Sequence, residues 1–379
     1  MKRGKILKLK KIALIFGTRP EAIKLAPVYF ELQRSSHSIP VVIITSQHVE
    51  MLKQVLDLFG IKPDYDLNVM KPNQTLSILT AKISSGLDEI MSKEKVDFSI
   101  VQGDTTSAFV GALISFYHNI PVGHVEAGLR SYDMKNPFPE EANRRLISVL
   151  SYIHFAPTQK AKTNLLKENI DESRIFVTGN TVVDALYWII KNKKSEMETF
   201  INKIGLKKEK YIYITMHRRE NWGEPMRNVL RGIKKVLQIH PDYKIVFPVH
   251  LNPAVREVVY NELDGIKNAI LIDPVNYIES IALINECQFV VTDSGGLQEE
   301  APTLSKPCLI LRKTTERPEA VEEGAAKLIG TSTTSVIKEV SSLIENEDEY
   351  RKMSKVLNPF GDGKSAEKTV NFLDELNLD

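Results

Sequence analysis

The groups in this chain that could do chemistry follow its apolar runs. Asp104 comes just after FSIV, Glu126 directly after PVGHV, and Glu140 after the loop Asn136-Pro137-Phe138-Pro139. A carboxylate at the end of a buried strand needs a partner or a task, and acid–base work is one such task. Asp104 equally suits a helix cap, with Thr105 and Ser107 as competing caps. Glu140–Arg144 and Glu141–Arg145 have i,i+4 spacing. As surface helix pairs each is worth about 0.3–0.5 kcal/mol. That reading suits Glu141–Arg145 well and suits the pair at the loop mouth less well.

Other strand ends read as anion sites. Gly17-Thr18-Arg19-Pro20-Glu21 follows IALIF, with Lys24 one turn later. Gly17 permits the tight turn, Pro20 fits a first helical position, and Arg19 stands at a helix start. An ordinary turn with a solvated arginine explains the same residues. His217-Arg218-Arg219 follows YIYITM and is either an anion site or a costly cluster of like charge. Asp293-Ser294-Gly295-Gly296 follows FVVT, and paired glycines before a helix let backbone N–H groups reach a phosphate. Glu299 and Glu300 either complement the helix dipole or, for one of them, hold ribose hydroxyls. The loop from Arg312 to Glu319, which includes Arg317, adds further positive charge.

Some signatures fail. His124-x-Glu126 is half of a zinc deaminase pattern, but its C-x-x-C partner is absent. Gly363-Lys364-Ser365 resembles the end of a P-loop, but position 358 is Asn358 and no strand pattern precedes it. There is no G-x-G-x-x-G, H-E-x-x-H or G-x-S-x-G. Hydride transfer, zinc hydrolysis and serine acyl transfer therefore lack their usual supports.

The elements that must position these groups are short, Val/Ile-rich and apolar on consecutive positions. They are runs 12–16, 41–45, 98–101, 121–125, 153–156 and 175–178 in the first half, and 211–215, 244–249, 269–272, 289–292 and 308–311 in the second. Such runs suit parallel strands buried on both faces. Helical patterns such as 112–117 and 228–239 alternate with them, which predicts doubly wound α/β architecture. Ligands are then expected beyond the strand C-termini. The lysine-rich segment 191–210 breaks the rhythm, and a domain boundary is placed near its start, between domains 1–185 and 186–362. Pro27 is expected to kink the helix begun at Pro20.

The 379 residues include Lys+Arg 50 and Asp+Glu 48, for a formal net charge of +2. That balance argues against a general nucleic-acid binder. No apolar run approaches the roughly 20 residues of a membrane span. The basic start MKRGKILKLKK reads as a solvated extension, since no signal-peptide-length apolar run follows it. Cys287 and Cys308 are the only cysteines and read as small core residues in a reducing cytoplasm.

The segments GTRPEAIKLAP, QGDTTS, PVGHVEAGLRS, PFPEEANRR, TGNTVVDAL, HRREN, PVHLNP, TDSGGLQEEAP and TTERPEAV resemble the non-hydrolysing UDP-N-acetylglucosamine 2-epimerases, from about position 11 to NPFGDGKSAEK. The resemblance implies a glycosyltransferase-B type fold: two Rossmann-like domains facing a cleft, with the last helix, about 363–379, returning to the first. It also implies a cytoplasmic homodimer without cofactor that interconverts UDP-N-acetylglucosamine and UDP-N-acetylmannosamine for cell-surface polysaccharide synthesis. The family eliminates UDP to a 2-acetamidoglucal and adds it back with C2 protonated on the other face. Asp104, Glu126 and Glu140 match the proton-handling positions, without an assignment of acid and base. Arg19, His217 and Ser294-Gly295-Gly296 match phosphate contacts, Glu300 the ribose ligand, and Lys24, Arg144 and Arg317 basic residues of the cleft. Gln47, His48, Arg218 and His250 match a second UDP-N-acetylglucosamine site through which bacterial members are activated. Glu50 and Asn73 depart from that pattern, and both changes are expected to weaken binding of an anionic activator.

Three other functions compete: a hydrolysing relative, a glycosyltransferase on the same fold, and a non-catalytic nucleotide-sugar sensor. Three acids near a diphosphate count against the sensor, because binding alone does not need them.

Overall fold

A computed structural model describes residues 9–47, 49–71, 74–206 and 210–377. The chain forms two compact units, one of Met1–Ala185 with Phe360–Asp379 and one of Leu186–Pro359.

The first unit is built on β1 (Lys10–Phe16), β2 (Ser38–Ile44), β3 (Tyr65–Asp66), β4 (Phe98–Gln102), β5 (Val122–Val125), β6 (Ile153–Ala156) and β7 (Ile175–Val177). Their order is β3-β2-β1-β4-β5-β6-β7, and every pairing is parallel. The apolar run of β1 is buried from Ile12 to Phe16, as a strand covered on both faces must be. Helices fill the crossovers, and residues such as Ile83, Leu87, Val110 and Ile147 pack from them onto Ile15 and Val101.

The second unit repeats the plan with β8 (Tyr211–Thr215), β9 (Lys244–Pro248), β10 (Ala269–Ile272), β11 (Val290–Thr292), β12 (Cys308–Ile310) and β13 (Ala326–Leu328). The order is β10-β9-β8-β11-β12-β13, again all parallel. The architecture is thus α/β with two doubly wound sheets, as the alternating runs require. Strand order reverses between β1 and β4 in the first sheet and between β8 and β11 in the second. At such switch points the loops leaving the two strands diverge and open a crevice at the strand C-termini.

Segment 191–210 contributes a helix, Lys194–Lys203, to the second unit. Pro27 is buried within the continuous helix Arg19–Arg34. The helix Ser365–Glu375 belongs to the first unit, where the Asp184 carboxylate accepts the Ala366 N–H at 2.9 Å. The Gly363-Lys364-Ser365 stretch therefore starts a structural helix and follows no strand. The first eight residues of the basic start lie outside the described residues. Cys287 and Cys308 are both free and buried. Among the described residues, no helix is long and apolar enough to cross a membrane.

Candidate active site

The turn after β1 is shaped by contact. A Cβ on Gly17 would sit 2.0 Å from Thr45 Oγ1 and 2.4 Å from Ser107 Oγ, so no larger residue fits. Glu21, 1% exposed, reaches back from the first turn of Arg19–Arg34. It accepts the N–H groups of Gly17 at 3.0 Å and Thr18 at 2.7 Å, and hydroxyls from Thr18 at 2.7 Å and Thr105 at 2.6 Å. Burial pushes its carboxyl up to about 7. One carboxyl thus ties together the two turns at the switch point. The spacing Thr18-x-x-Glu21 is a capping-box pattern, the signal that could have found it. Arg19 opens the same helix and is half-buried.

The three candidate acids have different surroundings. Asp104 leaves the β4 turn and takes Arg144 Nη2 at 2.6 Å and Nε at 2.9 Å, while Asn143 Nδ2 donates to its carbonyl at 2.8 Å. Glu126 follows β5, is 9% exposed and has φ +67°. That left-handed backbone costs a non-glycine residue on the order of 1–3 kcal/mol and concentrates at functional sites. Its Oε2 accepts from Lys24 Nζ and, at 3.0 Å, from Asn180 Nδ2. Glu140 is half-buried, and its Oε2 is buried without a hydrogen-bond partner.

Two expectations about the helix Glu140–Leu150 need correction. Arg144 pairs with Asp104 and, at 3.1 Å, with Glu141, rather than with Glu140. Glu141 belongs to no surface pair: it is fully buried and accepts the N–H groups of Ser131 at 2.9 Å and Tyr132 at 3.2 Å. Arg145 does approach it, at 3.6 Å. The i,i+3 and i,i+4 neighbours compete, and the loop returning over the helix start decides between them.

In the second unit the organising residue is Asp293, wholly buried after β11. Its carboxylate accepts the backbone N–H of His217 at 3.2 Å and of Arg218 at 3.1 Å, and Asn221 Nδ2 at 2.9 Å. His217 Nδ1 lies 3.5 Å from Asp293 Oδ1, and the His217 ring stacks 6.4 Å from that of His250. Partial burial holds the His217 imidazole below the usual histidine range, against the opposing pull of Asp293. This favours a neutral His217 ring with its Nδ1 side turned to Asp293.

Beside it, Glu316 collects three guanidiniums: Arg312 at 2.6 Å, Arg218 at 3.0 Å and Arg317 at 3.1 Å. Burial raises the Glu316 carboxyl, but Arg317 and Arg312 outweigh this and bring it down to about 2. Arg312 also lies 3.3 Å from Glu220, so the guanidiniums are shared among several carboxylates rather than spent on Glu316 alone. Arg317 also pairs with buried Glu299 at 2.6 Å, and a Cβ on Gly295 would lie 2.8 Å from Arg317 Nη1. The Ser294-Gly295-Gly296 turn is thus in contact with the arginine cluster. Glu300 lies in the helix Leu297–Thr303, and a Cβ on Gly296 would stand 4.0 Å from its Oε1.

Gln47 Oε1 accepts from Ser107 Oγ at 3.3 Å in the first unit, whereas Arg218 and His250 belong to the second. His48 and Asn73 lie outside the described residues. Glu50 is exposed on the helix Val49–Phe59. Among the described residues, no group of three or more His, Cys, Asp or Glu is placed to hold a metal ion.

The family model for UDP-N-acetylglucosamine 2-epimerase matches residues 31–374. The chain belongs to the UDP-N-acetylglucosamine 2-epimerase family. The UDP-N-acetylglucosamine 2-epimerase of Campylobacter jejuni is 48% identical over 96% of this chain and 97% of its own. A crystal structure of the Neisseria meningitidis 2-epimerase bound to UDP-GlcNAc superposes with TM-score 0.87 at 48% identity, covering 96% of this chain and 99% of that one. The Methanocaldococcus jannaschii 2-epimerase, in complex with UDP-GlcNAc and UDP, matches with TM-score 0.80 at 37% identity over 96% and 99% of the two chains. In this 2-epimerase family member, Glu21, Glu141, Asn180, Asp293, Arg312 and Glu316 are the residues whose contacts hold the candidate site residues in place.

Proposed function

We propose that this chain interconverts UDP-N-acetylglucosamine and UDP-N-acetylmannosamine by eliminating UDP and adding it back. The observation that carries the proposal is the pairing of Asp293 with His217 beside the Glu316 arginine cluster. It supplies a preorganised set of donors for a leaving diphosphate. In the forward step a carboxylate takes the C2 proton, a C1=C2 bond forms, and the C1–O bond breaks with its electron pair leaving on UDP. In the return step UDP oxygen bonds C1 while C2 is protonated on the other face. Asp104, Glu126 and Glu140 are the proton-handling candidates. Their unlike environments, with Arg144, with Lys24 and Asn180, and without a hydrogen bond on one buried oxygen, favour different protonation behaviour in each.

Residues 1–185 with the C-terminal helix then act as the proton-transfer domain and 186–362 as the UDP domain. Arg19, His217 and Ser294-Gly295-Gly296 serve the diphosphate, Glu300 the ribose, and Lys24, Arg144 and Arg317 are further basic residues of the substrate site. Gln47, His48, Arg218 and His250 would form a second nucleotide-sugar site. The enzyme needs no cofactor, works in the cytoplasm and feeds cell-surface polysaccharide synthesis. It is a homodimer in this proposal. Phe116, Tyr117, Leu146 and Val149 stand exposed on the neighbouring helices Thr106–Tyr117 and Glu140–Leu150, an apolar stripe suited to symmetric self-contact.

Incubation with UDP-N-acetylglucosamine and separation of the products tests the activity. UDP-N-acetylmannosamine supports epimerisation. Free N-acetylmannosamine with UDP supports hydrolysis and would overturn it. Sedimentation of wild type against Val149→Asp tests the dimer face.

A further inference from the structure

Asn180 joins three parts of the first unit. It follows β7, is 3% exposed, and its carbonyl accepts the Val183 N–H at 3.1 Å in the helix that follows it. Its backbone N–H donates to the Phe360 carbonyl at 2.7 Å, where the C-terminal segment re-enters the first unit. Its Oδ1 accepts the Val182 N–H at 3.1 Å in the first turn of Thr181–Asn192. That leaves Nδ2, which donates to Glu126 Oε2 at 3.0 Å. The Oδ1 contact also fixes which way the amide faces, because only an oxygen can accept there.

Glu126 needs such support. Its backbone is in the left-handed region, and it is almost fully buried. The donors Lys24, from the helix Arg19–Arg34, and Asn180, from the start of Thr181–Asn192, converge on the same oxygen, Oε2. Two donors from separate elements fix the plane of the carboxyl and leave Oε1 outside that pair. A neutral amide does this without adding charge beside the Lys24–Glu126 ion pair.

We propose that Asn180 is a positioning residue for Glu126, itself anchored by the returning C-terminal segment at Phe360. The role presupposes that Glu126 handles a proton in the proposed epimerisation. Asn180 touches no reacting atom. It holds the carboxyl in the orientation from which proton transfer is productive, and misorientation of a catalytic group by a fraction of an ångström to an ångström is costly.

The test uses four variants of the full chain: Asn180→Ala, Asn180→Asp, Glu126→Gln and the double variant Asn180→Ala/Glu126→Gln. A hydrogen bond to a charged group supports a loss of roughly 10- to 100-fold in kcat for Asn180→Ala, with KM and UDP affinity nearly unchanged. Asn180→Asp keeps the acceptor for Val182 N–H, so its helix start is preserved, but loses the donor to Glu126. It should lose kcat like the alanine variant. It should also move the acid limb of the kcat profile to higher pH, because a second carboxylate beside Glu126 disfavours ionisation of the pair. An unmoved limb would mean that position 180 does not act on the carboxylate whose ionisation sets kcat. In the double variant, removing Asn180 should cost little beyond Glu126→Gln, since its effect runs through that carboxylate. Wild-type kcat in both Asn180 variants, or a fully additive loss in the double variant, would overturn the role of Asn180 while leaving Glu126 catalytic. Wild-type turnover in Glu126→Gln would instead overturn the reading of Glu126, and Asn180's role with it.

Discussion

Asp293 holds His217 by its backbone: both carboxylate oxygens lie 3.2 Å from the His217 N–H, and Oδ1 lies 3.5 Å from the ring Nδ1. The two residues leave adjacent strands, β11 and β8, at the point where strand order reverses. The pairing binds the two loops together at the strand C-termini.

Replacing Asp293 by Asn puts an amide where several N–H donors converge. His217→Ala removes the ring but keeps that hub. We expect both variants to weaken UDP binding and turnover. Asp293→Asn should also lower thermal stability, by about 1–3 kcal/mol for a buried donor left unsatisfied. Titration calorimetry with UDP and thermal melting check this. Unchanged UDP affinity and turnover in His217→Ala would remove His217 from the site.

Asp104→Asn, Glu126→Gln and Glu140→Gln should each lower kcat by about 10²–10⁴-fold, the usual contribution of a proton-transfer group. UDP affinity should change far less. Steady-state kinetics with calorimetry for each variant separates the two effects. A variant that retains wild-type turnover identifies a carboxylate with a structural role only.

The Glu316 carboxyl is depressed from 4.5 to about 2 in the folded chain. A depressed carboxylate binds fewer protons folded than unfolded, so its stabilisation is complete above about 4.5 and is lost as pH falls toward about 2. Melting temperatures of wild type should therefore fall more steeply across that window than those of Glu316→Gln. Parallel curves would mean that the three arginines do not hold this carboxylate as described.

Gly17→Ala forces a methyl to within 2.0 Å of Thr45 Oγ1. Overpacking of this kind typically costs about 1–3 kcal/mol or more. Because the clash falls at the turn that Glu21 ties to Thr105, turnover should drop together with stability. Urea denaturation and kinetics on the same preparation check both.

The sheets were legible because their strands are runs of consecutive buried Val and Ile, a pattern fixed by burial on both faces. The edge strands β3 and β13 were not, since Tyr65–Asp66 and Ala326–Leu328 are too short and mixed to announce themselves. Motif positions such as Asp104, Glu126 and His217 could be named from strand ends. Their partners could not. Whether Arg144 meets Glu140, Glu141 or Asp104 depends on how the loop 131–139 folds back over the helix start, and spacing along the helix does not encode that. Asn180 carries no charge and follows a weak strand, so although it lies in the TGNTVVDAL segment its spacing gives no sign of what it contacts. Its importance comes from Glu126 and Phe360, distant in sequence and adjacent only in the fold.

The most direct test of the chemistry is proton NMR of UDP-N-acetylglucosamine incubated with the enzyme in heavy water. Elimination and re-addition require that C2 lose its proton to the protein and regain a hydrogen from exchangeable groups. The expected result is formation of UDP-N-acetylmannosamine carrying deuterium at C2, with deuterium also appearing at C2 of recovered UDP-N-acetylglucosamine. Epimer formed with its original C2 proton fully retained, or release of free sugar in place of the epimer, would contradict it.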